Sequence, residues 1–269
     1  MTVEYDDKAE TVKQWNNDPC GLIEGLPEGS REFYEGISDN RYRQYAPWMQ
    51  ATIGFDRYRG KRVLEVGFGM GTDLYEFARH GAVVSGIDLT PRHLEIAHKR
   101  FELYNLSVDL RLGDAENLPY ESNSFDVVYS FGVLHHTPNT QRALTEVWRV
   151  LAPGGIAIIG MYHRWSPYYI ALKARYFLAG DFRAQAWRDV LSTIEVRRHS
   201  DARPLVKVYS RSRLAGMLTD FKDVRLEVHH LPYPDFALHR SILRAPVPRM
   251  VVERLEPYLG WYVMAFCTK

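Results

Sequence analysis

From about residue 61 onward, apolar residues fall alternately in short unbroken runs and in stripes spaced three and four apart. The two patterns predict different elements. "KRVLEV" (61–66) is short, β-branched and apolar, as a strand buried on both faces should be. Beyond three alternating glycines, Leu74, Phe77 and Ala78 follow helical spacing, and Gly81 is placed to stop that helix. "AVVSGID" (82–88) predicts a second strand, and Thr90 with Pro91 predicts a cap and first-turn proline for a helix striped by Leu94, Ala97, His98 and Phe101. Val108, Leu110 and Leu112 alternate as a third strand, and "FDVVYSF" (125–131) is a fourth. A helix carrying Leu144, Val147, Trp148 and Leu151 on one face then ends at "APGG" (152–155), before the strand "IAIIGMY" (156–162). Leu214, Met217, Leu218 and Phe221 mark a later helix, and "VRLEVHHL" (224–231) and "WYVMAFC" (261–267) close the pattern as strands.

Five strand-helix repeats at this spacing predict a mostly parallel sheet of seven strands in all, each crossover right-handed and carrying a helix, with helices on both faces. The class is a doubly wound α/β fold in a single domain, 1–269. Two stretches stand outside the alternation. Residues 1–55 are rich in Tyr, Trp and Asn and predict an N-terminal helical cap on the 56–160 core; residues 161–209 form an insertion after the fifth strand, longer than an ordinary loop. The chain resumes its pattern over 210–269.

The 269 residues, 46% hydrophobic, suffice for one substantial core. Lys+Arg 34 against Asp+Glu 33 leaves a net charge of +1, so no global field draws the chain to nucleic acid or an anionic bilayer, and any basic patch is local. Cys20 and Cys267 are the only cysteines, which argues against a disulfide framework or a CxxC site and suits a reducing cytoplasm. "MTVEYDDKAE" carries acids where an export signal carries bases, and no window approaches the ~18 apolar residues of a membrane span. An unexported, cytoplasmic protein is the expectation.

In open α/β sheets ligands bind beyond the carboxyl ends of the strands at the switch point, where Gly67, Gly69 and Gly71 fall. A dinucleotide fingerprint needs glycine at position 72, but Thr72 stands there, which counts against a pyrophosphate loop. Asp88 ends the second strand 21 positions after Gly67, where a carboxylate can accept both hydroxyls of a ribose. Asp114 ends the third, where a side-chain acceptor and the next backbone N–H can read an adenine edge. Singly, these aspartates also read as a helix-entry cap and a turn former.

The segments "VLEVGFGMGTD", "GIDLT", "GDAENLPY", "SFDVVYSFGVLHHTP" and "RVLAPGG" together resemble the class I S-adenosylmethionine-dependent methyltransferases, in particular the group typified by ubiquinone and menaquinone biosynthesis. The resemblance spans roughly residues 61–160, and the last helix and two strands are similar to that family's antiparallel ending. Phe68 stands where a cysteine is frequent in the group. The implied fold is the Rossmann-like methyltransferase sheet, the implied cofactor S-adenosylmethionine, and the implied activity methyl transfer. The cofactor's carboxylate would then lie at the glycine loop, its ammonium at Glu65 or Asp73, its ribose at Asp88 with Leu89, and its adenine at Asp114 with Ala115, with Phe131 and Leu118 as candidates to sandwich the ring.

Methyl transfer is an in-line displacement that chiefly needs alignment and exclusion of water, and a hydroxyl acceptor also needs a base. His135 and His136 follow the fourth strand and His163 the fifth, so these three are the candidate catalytic groups; equally, they could only shape the loops. No HExxH motif, CxxC pair or acidic cluster suggests a metal. Residues 161–213 hold eleven bases and four acids, a local +7, and "SPYYIALKARYFLAG" sets aromatics beside Lys173 and Arg175. Three readings compete: a lid over a negatively charged aromatic acceptor, a helix facing a membrane surface, or a solvated basic face. Trp15, Tyr34, Tyr42, Tyr45 and Trp48 are expected to pack over the cofactor. The expected reaction methylates a hydroxyl or carboxylate oxygen of a small aromatic or anionic metabolite, with no nucleic-acid partner. Methylation of a lipid or quinone at a membrane surface, and an inactive cofactor-binding subunit, are the alternatives. Oligomeric state is left open.

Overall fold

In the computed structural model, which describes residues 6–178, 180, 184–196, 201–231 and 248–269, the strands are β1 (Arg62–Val66), β2 (Val83–Asp88), β3 (Asp109–Leu112), β4 (Phe125–Phe131), β5 (Leu151–Tyr162), β6 (Lys222–His229) and β7 (Tyr262–Thr268). They form one sheet in the order β3-β2-β1-β4-β5-β7-β6. Strands β1 to β5 run parallel, and β7 runs antiparallel to both β5 and β6. Because β1 pairs with β2 on one side and β4 on the other, the chain reverses direction of growth there, and a crevice opens beyond the carboxyl ends of those strands.

The helices follow from the stripes. Against one face of the sheet lie α4 (Thr72–Arg79) and α5 (Pro91–Leu103), whose Leu74, Phe77, Ala97 and Phe101 bury with Val63 and Tyr129. Against the other lie α6 (Thr140–Val150) and α9 (Arg211–Met217), whose Leu144, Val147 and Leu214 bury with Leu64, Val128 and Ile159. The sheet is thus covered on both sides, the arrangement that its β-branched runs require.

Three local expectations are corrected. No helix joins β3 to β4: the connection, broken by Pro119, takes its hydrogen bonds from α6, whose Glu146 accepts from the Leu118 N–H at 2.8 Å and whose Arg149 donates to the carbonyls of Leu118 and Tyr120 at 2.9 and 2.7 Å. The "APGG" stretch does not separate helix from strand but belongs to β5, where the register jumps from Phe125 opposite Leu151 to Val127 opposite Ile156. Thr90 occupies the N-cap of α5 without a side-chain bond; Asp88 accepts the Thr90 N–H instead, at 2.9 Å.

The N-terminal residues form α1 (Asp7–Asn17), α2 (Arg31–Asp39), a π-turn (Asn40–Tyr45) and α3 (Met49–Ile53). Tyr34 anchors α2 on α5 by donating to the Ile96 carbonyl at 2.7 Å. After β5 come α7 (Pro167–Leu178), α8 (Ala184–Ser192) and an extended run, 201–209, that follows β5 and the loop after β4 through Tyr209 N–H to Tyr162 O (2.8 Å) and Lys207 N–H to His135 O (3.1 Å). Helix α10 (Arg249–Leu259) precedes β7. Of the basic residues of the insertion, Arg183, Arg197 and Arg198 lie outside the described residues.

Candidate active site

The strand ends enclose a cavity of about 660 Å³, lined among others by the glycine loop, Glu65, Asp88, Leu89, Asp114, Ala115, Phe131 and His136. Its glycines are required individually. Gly67 has φ +80°, and a Cβ there would lie 2.2 Å from Val133 Cγ2, so the loops after β1 and β4 approach each other only because it has no side chain. Gly69, at φ +54°, faces open space and donates its N–H to Asp88 Oδ2 at 2.9 Å. Gly71 is the left-handed residue from which α4 starts. Asp88 therefore holds the loop from below, with Oδ1 accepting from Thr90 N–H and lying 3.2 Å from His93 Nδ1. Burial alone would raise its pKa, but His93 and these N–H donors outweigh burial and keep the carboxylate below its usual range. An ionised carboxylate offers about four lone-pair positions, so acceptor capacity remains toward the cavity.

Glu65 and Asp73, interchangeable in the sequence, have opposite environments. Asp73 lies on the cavity wall, yet both its oxygens are spent: Oδ1 accepts from Arg41 Nε (2.6 Å) and Tyr42 OH (2.6 Å), and Oδ2 from Tyr129 OH (2.7 Å) and Arg41 Nη2. Burial is outweighed by the Arg41 charge and these donors, which hold its pKa low. The expected contact from Asp73 to an ammonium is not what this geometry offers. Glu65 is 3% exposed, and its Oε2 has no hydrogen-bond partner. Burial first, then the nearby charge of Asp73, raises the Glu65 pKa well above 4.5. An unpartnered acidic oxygen facing a cavity fits a ligand's ammonium.

At the far end Asp114 accepts from Glu116 N–H with Oδ1, while Oδ2 pairs with Lys8 of α1 at 2.5 Å. Lys8 also reaches Glu116 at 3.1 Å, so α1 closes this end of the cavity. The expected ring sandwich is not assembled. Leu118 packs in the core under α6, and Phe131 belongs to an aromatic group with Tyr262 (4.5 Å between centroids) and Trp48 (6.0 Å). Ala115, beside Asp114, and Val133, against Gly67, line the cavity instead. Of the N-terminal aromatics, Trp15 and Tyr45 line the cavity, whereas Tyr34, Tyr42 and Trp48 support its walls.

The three histidines separate sharply. His136 lines the cavity; its Nδ1 lies 2.6 Å from the Leu205 carbonyl, and its Nε2 lies 3.7 Å from Glu195 Oε1. A carbonyl only accepts, so Nδ1 carries a proton, and in the neutral imidazole Nε2 is the acceptor. His135 is fully buried behind it, its ring tilted against Tyr162 at 4.0 Å between centroids, with neither ring nitrogen bonded; burial, then His136 and Lys207, lower its pKa well below 6.5. His163 is away from the cavity and donates Nδ1–H to Gly260 O at 3.0 Å, tying the end of β5 to the start of β7. Its expected catalytic place is therefore corrected to a structural one. Among the described residues, His135, His136 and Glu195 are the one group whose possible metal-ligand atoms lie within 4.8 Å of one another, a convergence absent from the sequence reading.

Sequence reasoning did not single out Lys8, Arg41, Tyr129, Tyr162 or Glu195. Their local context carries no motif, and Glu195 reads there only as one acid in a basic segment. Tyr162 donates to Glu195 Oε1, and Gln14 Nε2 donates to the Glu195 carbonyl at 3.2 Å, so this carboxylate is positioned by β5 and α1 together.

A parallel sheet with a glycine loop at its switch point, facing two strand-end aspartates, is an arrangement suited to a nucleoside ligand. Residues 64–159 match the family model described as a methyltransferase domain. The phthiotriol/phenolphthiotriol dimycocerosates methyltransferase of Mycobacterium leprae (strain TN) is 45% identical over 120 residues, 44% of each chain. The demethylmenaquinone methyltransferase of Tropheryma whipplei (strain Twist) is 40% identical over 101 residues, 37% of this chain and 41% of that one. The chain thus spans less than half the length of these curated relatives. A crystal structure of a SAM-dependent methyltransferase from Aquifex aeolicus shares the fold, with a TM-score of 0.52 at 16% identity over 87% of this chain and 96% of that one. Over residues 64–159 the chain is thus similar to methyltransferase domains, and its sheet has the Rossmann-like fold of a SAM-dependent methyltransferase of known structure.

Proposed function

We propose that the protein transfers a methyl group from S-adenosylmethionine to a hydroxyl oxygen of an apolar, ring-bearing or lipid acceptor. The carrying observation is that one cavity joins two chemically distinct ends. One end holds Gly67, Gly69, Asp88 and Glu65 with its unpartnered Oε2; the other holds Phe131, Tyr162, Trp261 and Tyr262 around His136. At the first end Glu65 suits the cofactor's ammonium, Asp88 its ribose and Asp114 its adenine, while the bound sulfonium supplies an electrophilic methyl group. The fit requires Asp114 to share its Oδ2 between Lys8 and the adenine, or to exchange one for the other.

At the second end the acceptor's character follows from charge. The described cations of the lining, Lys8 and Arg41, are already paired with Asp114 and Asp73, and Glu195 adds a carboxylate. An anionic metabolite would find no unpaired cation among these, so a neutral acceptor fits better than the anionic one expected from the basic composition of the insertion. The names of the mycobacterial and Tropheryma relatives, a phthiotriol/phenolphthiotriol dimycocerosates methyltransferase and a demethylmenaquinone methyltransferase, support an apolar body. His136 Nε2 accepts the hydroxyl proton, the carboxylate of Glu195 offsets the charge that develops on the ring, and the aromatic walls exclude water.

His136→Ala should slow turnover by about 10²- to 10⁴-fold while leaving S-adenosylhomocysteine affinity nearly unchanged. Equal rates for variant and parent would remove the base assignment. A metal-assisted reading draws on the same residues, because the two unbonded nitrogens of His135 lie beside His136 and Glu195. Dialysis against a chelator distinguishes them: the base reading expects turnover to persist, and loss restored by added zinc would assign the cluster to an ion.

Glu65 supplies an independent check on the cofactor end. Its proton, retained by burial and neighbouring acids, has to leave when a cation pairs with it. Calorimetry in buffers of different ionisation enthalpy should therefore report proton release on S-adenosylhomocysteine binding, and Glu65→Gln should abolish it. Absence of proton release in the parent would take the ammonium away from Glu65.

A further inference from the structure

The proposed acceptor end opens between two helices that present apolar side chains outward. On α7, Tyr168, Ile170, Phe177 and Leu178 are between 47% and 88% exposed; on α10, Met250 is 63% and Tyr258 65% exposed. Both helices border the mouth of the cavity. The Tyr168 ring packs edge-on against Trp261 at 5.2 Å, His163 holds the Gly260 carbonyl at the end of α10, and Pro167, Tyr168, Leu259 and Trp261 all line the opening.

The charge around this surface has one sign on the α7 side. Residues 161–180 contain Arg164, Lys173 and Arg175 and no Asp or Glu. At the rim three cations lie over aromatic rings: Arg164 over Trp165 at 5.6 Å, Lys173 over Phe177 at 5.7 Å, and Arg211 over Tyr258 at 5.9 Å. Cations held against aromatic rings put positive charge and amphipathic ring surface at one level, as at a lipid boundary, where Trp and Tyr favour the headgroup level. A second copy of the chain would set this basic rim against itself, whereas an anionic bilayer complements it.

We infer that α7 and α10 form a single docking surface for anionic membranes, encircling the cavity mouth so that an apolar acceptor enters from the lipid without crossing water. The inference rests on the apolar-acceptor reading of the same cavity. Tyr169 and Tyr176 bury the inner side of α7, whereas Ile170, Phe177 and Leu178 face outward and away from the cavity lining, which favours a membrane-facing helix over a lid. Apolar contact and electrostatic attraction both contribute to such binding, so it should weaken with salt.

Flotation of the full chain with phosphatidylcholine vesicles, with and without phosphatidylglycerol, tests it. The protein should float with the anionic vesicles at low salt, and less so as salt rises. Phe177→Glu combined with Leu178→Glu should reduce the bound fraction by about tenfold or more, as should Lys173→Glu combined with Arg175→Glu. These positions lie outside the cavity, so an unchanged melting temperature and S-adenosylhomocysteine affinity show that each variant is folded. Failure of the parent to float, equal flotation of the Phe177/Leu178 variant, or a dimer in sedimentation velocity that this variant abolishes would each overturn the proposal. Failure of the enzymatic reading looks different: normal flotation with no S-adenosylhomocysteine released from any acceptor, dispersed or membrane-bound.

Discussion

Asp73→Asn should cost about 3 to 5 kcal/mol of stability, the usual penalty for leaving a buried charge without its partner. Arg41, Tyr42 and Tyr129 all donate to this carboxylate, and its side chain is 3% exposed. The amide keeps the shape but loses the charge opposite Arg41 and offers one acceptor oxygen instead of two. Tyr129→Phe removes a single donor and is expected to cost only about 1 kcal/mol. The pH dependence has a defined sign. The folded Asp73 has a pKa below 3.8, so its contribution is complete above that unfolded value and is lost as pH falls through the folded one. Denaturant midpoints for parent and Asp73→Asn should therefore differ most near neutrality and converge in strong acid. A difference below about 1 kcal/mol at pH 7 would show that the network does not hold the cap.

Gly67→Ala is the second large effect. A left-handed φ costs an alanine about 1 to 3 kcal/mol, and overpacking against Val133 adds about 1 to 3 more. The total is a loss of about 2 to 6 kcal/mol, with cofactor affinity falling because the loop after β1 has to move away from the loop after β4. Val133→Ala in the Gly67→Ala background should restore only part of this. The new Cβ would still lie 2.9 Å from the Cβ of residue 133, and the backbone strain would persist. Melting curves and S-adenosylhomocysteine titration of the single and double variants check both parts. An alanine tolerated without loss in either would show that the loops are not in the contact described.

The parts of the fold that were legible depend on local periodicity. β1, β2, β4 and the core of β5 are dense apolar runs that can only be buried, and α4, α5 and α6 carry stripes that match one face of a helix. Asp88 and Asp114 were legible because a position at a strand end determines which edge of the sheet it reaches. The β3–β4 connection was not, since its hydrogen bonds come from Glu146 and Arg149 on a helix later in the chain.

Within the site, residue type was readable where partner was not. Glu65 and Asp73 are both carboxyl groups near a glycine loop, but Arg41, 32 positions before Asp73 and turned inward by a π-turn, satisfies Asp73 and leaves Glu65 with an unpartnered Oε2. His136 and His163 likewise both follow strands. Leu205 and Glu195 place one beside the cavity, while Gly260, 97 positions away, takes up the other. The amino-acid order alone determined the alternation of strands and helices, the glycine bend and the acids that border it, because those depend on neighbours within a few residues. Only the tertiary structure decided which charges are spent and which stay available, because long-range packing sets the hydrogen bonds and solvent access of a buried ionisable group.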